Sequence, residues 1–326
     1  MFKRPRLRPP FSLVNASLAA SVVFLAACSG SETEPPEKAK KNNAPVTLQE
    51  NANQVELQAV WATGALDSAI TGLAFVGGSE PMLAASLSSG ALQFFDLQGD
   101  RITQAVDLNV KEIASGQAVV LGGAAITLFP GISQSGDLDF YAYAPALGEP
   151  LRLDFLPDQN AKGLCAGPPL SPDHVMQLAF WTEDAPTILS HGHVGQDAEG
   201  NLSWTLLDQL SSANGPITAC AAFAELEIAT AATGVDLAAI EKFGQRYLLA
   251  QTTQGDLNVI DTSGVTRQLT IADGITVRTP SPPAAIAALS DAQFGNYPDG
   301  LLVVGGTVNG VHQITLIEPG ALFRSK

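Results

Sequence analysis

The sequence predicts an all-β fold, and within that class a β-propeller, six-bladed with five blades as the alternative. Three observations predict it. First, short apolar runs such as Pro81–Ser86, Ala91–Asp96, Tyr247–Gln251 and Leu301–Val304 are bounded by Gly, Ser, Asp and Asn, with no sustained helical period. That is strand and turn punctuation. Second, Leu83 to Gly99 aligns without gaps to Leu248 to Gly264, matching Gly90 to Gly255, Leu92 to Leu257, Phe94 to Val259 and Asp96 to Asp261. Third, Gly136-Asp-Leu138-Asp-Phe140, Gly200-Asn-Leu202-Ser-Trp204 and Gly310-Val-His-Gln-Ile314 read as further copies. Their spacing suits one four-stranded unit each, with room for a short extra unit between Gly200 and Gly255. Hairpins repeated around an axis conceal their sheet edges in a propeller, whereas a sandwich of hairpins is the competing arrangement.

Each copy has the same local logic. A strand runs into a tight turn at the glycine, an alternating strand follows, and an aspartate marks the next turn. Period-two alternation places Leu92 with Phe94, and Leu257 with Val259, on one buried face. The equivalent positions of Asp96 and Asp261 argue for a structural turn role. Pro282 to Ser290 is rich in alanine, but its prolines favour loop or strand over helix.

The amino terminus is of another kind. Met1 to Pro10 carries Lys3, Arg4, Arg6 and Arg8 without an acid, and Leu13 to Ala27 is almost uncharged. This is the layout of a secretory signal over residues 1–27 and is too short for a permanent span, which needs about 20 apolar residues. Leu25-Ala26-Ala27-Cys28 resembles the lipobox of bacterial lipoproteins, which implies cleavage before Cys28 and acylation of its thiol and freed amine. Residues 28–53 are polar, charged and proline-containing, the composition of a disordered tether, and the folded domain is expected over 54–326. Ser29 after the cysteine resembles the sorting preference of outer-membrane lipoproteins, implying a periplasm-facing, lipid-anchored protein.

The whole chain has 17 Lys plus Arg against 32 Asp plus Glu, a net charge of −15. Loss of the four basic residues before Cys28 leaves −19, which argues against nucleic-acid binding, since that needs a basic surface. Membrane attachment is then a matter of acyl chains rather than of attraction to anionic lipid. With hydrophobic residues at 46% there is enough apolar material for one large β domain. A disulfide between Cys165 and Cys220 is permitted in an oxidising envelope, and two buried free thiols are the alternative.

Three segments carry a family resemblance. Ser89 to Asp100 is similar to the first hairpin of the β-propeller phytases. Tyr247 to Gly255 resembles their "GYLLASSQG" strand, and Leu269-Thr-Ile-Ala-Asp273-Gly with Phe294-Gly-Asn-Tyr-Pro298-Asp-Gly-Leu-Leu-Val-Val304 resembles their closing segment. The resemblance implies a six-bladed propeller whose acidic side chains hold several calcium ions that bind phosphate and activate water. Most of those acids are missing. Arg278 to Ile286 and Ile217 to Ala224 replace acidic clusters with no carboxylate, and Val235 to Ile240 keeps only Asp236. Asp236, Glu241 and Asp273 remain as candidate metal ligands, too few for a site of several calcium ions. The expectation is therefore a binding module for a small molecule or protein, without phytase activity. A calcium-dependent phosphatase acting on phytate or another phosphate ester is the alternative, and an envelope assembly component is a third class.

Two further groupings were weighed. His191-Gly192-His193 could present two imidazoles to zinc or copper, but no third ligand is signposted and surface histidines are the expectation. Asp137 and Asp139 share a strand face, with Gly136 favouring a turn role for the first. No phosphate-binding glycine loop, nucleophile elbow or zinc motif is present.

Overall fold

The computed structural model describes residues 54–78, 80–197, 200–223, 227–290 and 297–324. All lie within one compact unit, Gln49–Lys326. The signal segment, Cys28 and the tether lie outside the described residues, as do positions 294–296 of the closing motif.

The first described strand is β1 (Gln54–Ala62), which is not paired with the next strand in the chain. A first group holds β2 (Ile70–Val76), β3 (Met82–Leu87), β4 (Ala91–Phe95) and β5 (Val106–Asp107), side by side in that order. A second holds β6 (Val110–Ile113), β7 (Gln117–Leu121), β8 (Ala124–Ser133), β9 (Leu138–Tyr143) and β10 (Leu151–Leu156), paired as β10-β9-β8-β6 with β7 also on β8. The third is β11 (Ala161–Gly167), β12 (His174–Thr182), β13 (Ile188–Gln196) and β14 (Leu202–Ser211). A fourth is only the pair β15 (Ala219–Ala222) and β16 (Ile228–Ala231). The fifth runs β17 (Asp236–Lys242), β18 (Gln245–Gln251), β19 (Leu257–Asp261) and β20 (Thr266–Ala272). The sixth is β21 (Pro283–Leu289), β22 (Leu301–Val308) and β23 (Val311–Glu318), followed by the short helix α1 (Gly320–Phe323). β1 completes it by pairing antiparallel to β23, and on its other side it runs parallel to β20, fusing groups five and six into an eight-stranded sheet. Among the described residues no helix is long and apolar enough to cross a membrane.

The alternation in the sequence explains the core. In β4, Leu92 and Phe94 face one way and pack with Val110, Phe129 and Tyr141 of the second group. Ala91 and Phe95 face the other way and pack with Leu301, Val303 and Leu316 of the sixth. Both faces are thus buried, and the one polar residue of the strand, Gln93, is buried too and donates to the Thr103 carbonyl at 3.2 Å. Phe94 is fully buried and its ring lies 5.4 Å from Phe129 and 5.1 Å from Tyr143.

The same arrangement repeats around the unit. One apolar cluster fills each gap between consecutive groups, and the last closes back on the first. The clusters flanking the two-stranded fourth group are the smallest. There Ala219, Ala221 and Leu237 meet on one side, and Cys165, Trp181, Leu189 and Ile217 on the other. The Cys165–Cys220 disulfide bridges this thin region.

The repeat glycines Gly90, Gly136, Gly200, Gly255 and Gly310 all have positive φ, between 81° and 91°, where a Cβ would be strained. Four sit in the turn between the second and third strands of their groups. Gly200 instead joins β13 to β14, the third and fourth, so this copy is one hairpin out of phase. The matching turn of that group, between β12 and β13, is Glu183–Thr187 and contains no glycine. The short extra unit expected between Gly200 and Gly255 coincides with β15 and β16.

The repeat aspartates close turns. Asp96 accepts the backbone N–H of Gln98 at 2.9 Å and of Asp100 at 2.8 Å, and Asp261 does the same for Ser263 and Val265. Asp96→Ala removes both acceptor contacts and should cost about 1 kcal/mol, read as a Tm lowered by roughly 2–4 °C. An unchanged Tm would show that the turn holds without its side chain.

Candidate functional site

The first strands of the groups stand next to one another around the middle of the unit. β2 lies beside β6 and β21, β21 beside β17, β17 beside β15, β15 beside β11, and β11 beside β8. Between them is a cavity of about 640 Å3 to which β2, β6, β11, β15, β17 and β21 all contribute wall residues. Its wall is dominated by small side chains, including Gly72, Ala166, Ala219, Ala238 and Ala287. A Cβ at Gly72 would lie 2.8 Å from the Ser86 hydroxyl, which would have to shift to admit it.

The ionisable side chains of this wall, among the described residues, are Glu112, Lys162 and Asp236. Lys162 pairs with Glu183 at 3.2 Å. Asp236 opens β17, where its Oδ1 accepts the N–H of Leu237 at 2.8 Å. Its Oδ2 accepts the N–H of Ile286 at 2.9 Å and so ties the first strand of group five to that of group six. Glu112 sits on β6 and accepts the backbone N–H of Leu164. Both residues are partly buried in the cavity wall, and protein surrounds their carboxyls.

That enclosure sets their acidity. Burial raises Glu112 to about 7, the negative charge of Asp236 adds to the rise, and Lys111 and the Leu164 N–H oppose it. Burial likewise raises Asp236 to about 7 against the pull of its two backbone donors. Removing a carboxylate from water penalises its charged form.

The sequence candidates are placed as follows. Asp236 is in the cavity wall. Glu241, on the same strand, accepts from Arg246 Nε at 3.2 Å. Asp273 follows β20 and accepts from Arg278 at 2.8 Å and from the Thr279 N–H, contacts that lower its pKa, the backbone donor most. The three are not brought together, and among the described residues no group of three or more His, Cys, Asp or Glu could hold a metal ion. The donor set does not fit calcium, which takes six to eight oxygens.

Cys165 on β11 and Cys220 on β15 form a disulfide in the cavity wall. His191 and His193 both lie on β13, but His191 is buried and bonds Gln177 Oε1 at 3.3 Å, so the surface expectation fails for it. Packing of its strand between β12 and β14 is the reason. His193 stacks on His174 with ring centroids 3.7 Å apart. Asp137 accepts from Ser135 and from the Asp158 N–H at the Gly136 turn, and the buried Asp139 pairs with Arg152 at 2.9 Å.

Glu112 was not visible as a site residue in the sequence. Val110-Lys111-Glu112-Ile113 has the look of a short strand with a solvated face, and only its place at the head of the second group exposes its role. The three segments Ile217–Ala224, Val235–Ile240 and Arg278–Ile286, by contrast, do reach the cavity, through Ala219, Asp236 and Ile286. No protein-family model matches the chain, and no curated protein matches it.

Proposed function

We propose that this chain is an outer-membrane lipoprotein, acylated at Cys28 and facing the periplasm, whose body binds a ligand or protein partner without catalysis. We read that body as a six-bladed β-propeller of the phytase-like kind, its fourth blade reduced to β15 and β16 and its last closed by β1. Six apolar clusters that fill the gaps between six consecutive groups support this reading.

The observation that carries the functional reading is the central cavity itself. It has the volume of a small-molecule site, typically about 300–1,000 Å3, and its two carboxylates have no third acidic or imidazole partner among the described residues. Phosphate-ester hydrolysis by a calcium cluster needs several hard oxygen donors at each ion, and Glu112 and Asp236 cannot furnish them. Asp236 favours the phosphatase as second reading, because it is the acid that the resemblance retains in a metal-binding segment and it lines the cavity. Phosphate release from phytate by the full chain, with excess calcium and with EDTA, separates the two. The expected result is no release in either condition; calcium-dependent release above a no-protein control would overturn the non-catalytic reading.

A further inference from the structure

We propose that the central cavity binds a small organic cation, an alkylammonium compound whose nitrogen is held between Glu112 and Asp236. The inference rests on the ligand-binding reading above and gives it a chemical class. The two residues come from strand groups two and five, which are separated by two groups in either direction around the ring. Both residues line the one cavity, each on a strand of a different group, and the charge of Asp236 reaches Glu112.

No basic side chain of the wall neutralises them. Lys162 is turned to Glu183, and Lys111, whose charge reaches Glu112, is not part of the wall. Elsewhere the fold does answer an enclosed acid with a base, as Arg152 does for Asp139. When ionised, the two carboxyls have no counter-ion in the wall; a proton offsets that cost in the empty cavity, and a ligand cation would take the proton's place. An anionic ligand would meet repulsion once either carboxyl is ionised.

Size and surface then choose among cations. Two carboxylates with one backbone donor on Glu112 and two on Asp236 fall short of a metal's oxygen shell, whereas ammonium N–H groups match their remaining lone pairs. Much of the rest of the wall is uncharged and small or apolar, with Ala166, Ala219, Ala238 and Ala287 beside Leu73, Ile113 and Ile286, which suits an alkyl body. About 640 Å3 is room for a molecule rather than for a bare ion.

The test is calorimetric titration of the full chain in detergent with 1,4-diaminobutane, with 1,4-butanediol as the neutral analogue and with calcium chloride. The expected result is saturable one-to-one binding of the diamine, none of the diol, and at least a tenfold loss of diamine affinity in Glu112→Gln and in Asp236→Asn. Asp236→Asn keeps an oxygen to accept the Ile286 N–H, and either variant alone is decisive if the other fails to fold. No diamine binding, binding unchanged in a folded variant, or tighter binding of calcium than of diamine would overturn the proposal. The phytate assay reads the underlying proposal separately. Absence of both diamine binding and phosphate release would sink the cation and leave a non-catalytic module, while phosphate release would sink that module.

Discussion

Reduction of the Cys165–Cys220 bridge is expected to lower the stability of the folded unit by about 4 kcal/mol, the chain-entropy value for a loop of this length, with 55 residues separating the two cysteines. The effect should be among the largest available because of where the bridge lies. It joins β11 to β15, the first strands of groups three and four, and group four has two strands where its neighbours have four. Its flanking clusters are the smallest in the unit, so hydrophobic burial there has the least to spare. Urea unfolding of the oxidised and reduced wild type, with Cys165→Ala/Cys220→Ala as a second route to the unbridged state, measures it. A midpoint that does not move between the two would mean that the thin region is held by packing alone.

Stability should also fall as pH rises from about 5 to about 8, by several kcal/mol in the contribution of Glu112 and Asp236. Each has a pKa near 7 in the folded chain against ordinary values of 4.5 and 3.8. Between those limits the folded state binds more protons than the unfolded state, so the slope of stability on pH is negative. The penalty is absent below about pH 4 and complete above the folded values. At about 1.4 kcal/mol per pKa unit, ionisation costs roughly 3 kcal/mol at Glu112 and roughly 4 kcal/mol at Asp236, with mutual repulsion making the two costs interdependent.

His191 and His193 act in the opposite sense over part of the same range. Burial depresses both, and His174 adds to the effect on His193. Asp137, Asp261 and Asp273, whose pKa values are lowered by hydrogen bonds, withdraw their support only in more acid solution. The clean reading is therefore a difference. Glu112→Gln/Asp236→Asn should raise Tm over wild type by roughly 5–10 °C at pH 8 and by little at pH 5. An equal gain at both values would place the effect in packing rather than in charge.

Much of the fold was legible because its determinants are local. A glycine that needs positive φ, an aspartate that accepts its own turn's N–H groups, and apolar residues two apart are each specified within a few neighbours. Gly90 with Asp96 and Gly255 with Asp261 therefore gave the hairpins away. Gly200 misled for the same reason, since a turn between third and fourth strands needs the same glycine as one between second and third.

The cavity was much less legible. Glu112 and Asp236 are more than a hundred positions apart, and their place in one cavity wall depends on how the strand groups pack together rather than on any spacing. Asp236 stood out only because the phytase resemblance marked its segment, and nothing comparable marked Glu112. The burial of His191 likewise depends on the partners of β13 on both sides, which its own sequence does not declare.

The pairing of β1 has a consequence for the time course of synthesis. This strand leaves the ribosome before every other described element, yet its register sets Val55 against Leu269 and Ala59 against Ile317. The Thr270 hydroxyl that bonds the Val55 carbonyl lies 215 residues later in the chain. At about 5–20 residues per second, β1 waits roughly 10–40 s for its neighbours to exist. Through that interval Val55, Leu57 and Ala59 have no partner face, and β20, once made, presents an unpaired edge. Long-range closure of this kind makes for slow folding, so nascent chains stalled short of β23 would be the aggregation-prone species.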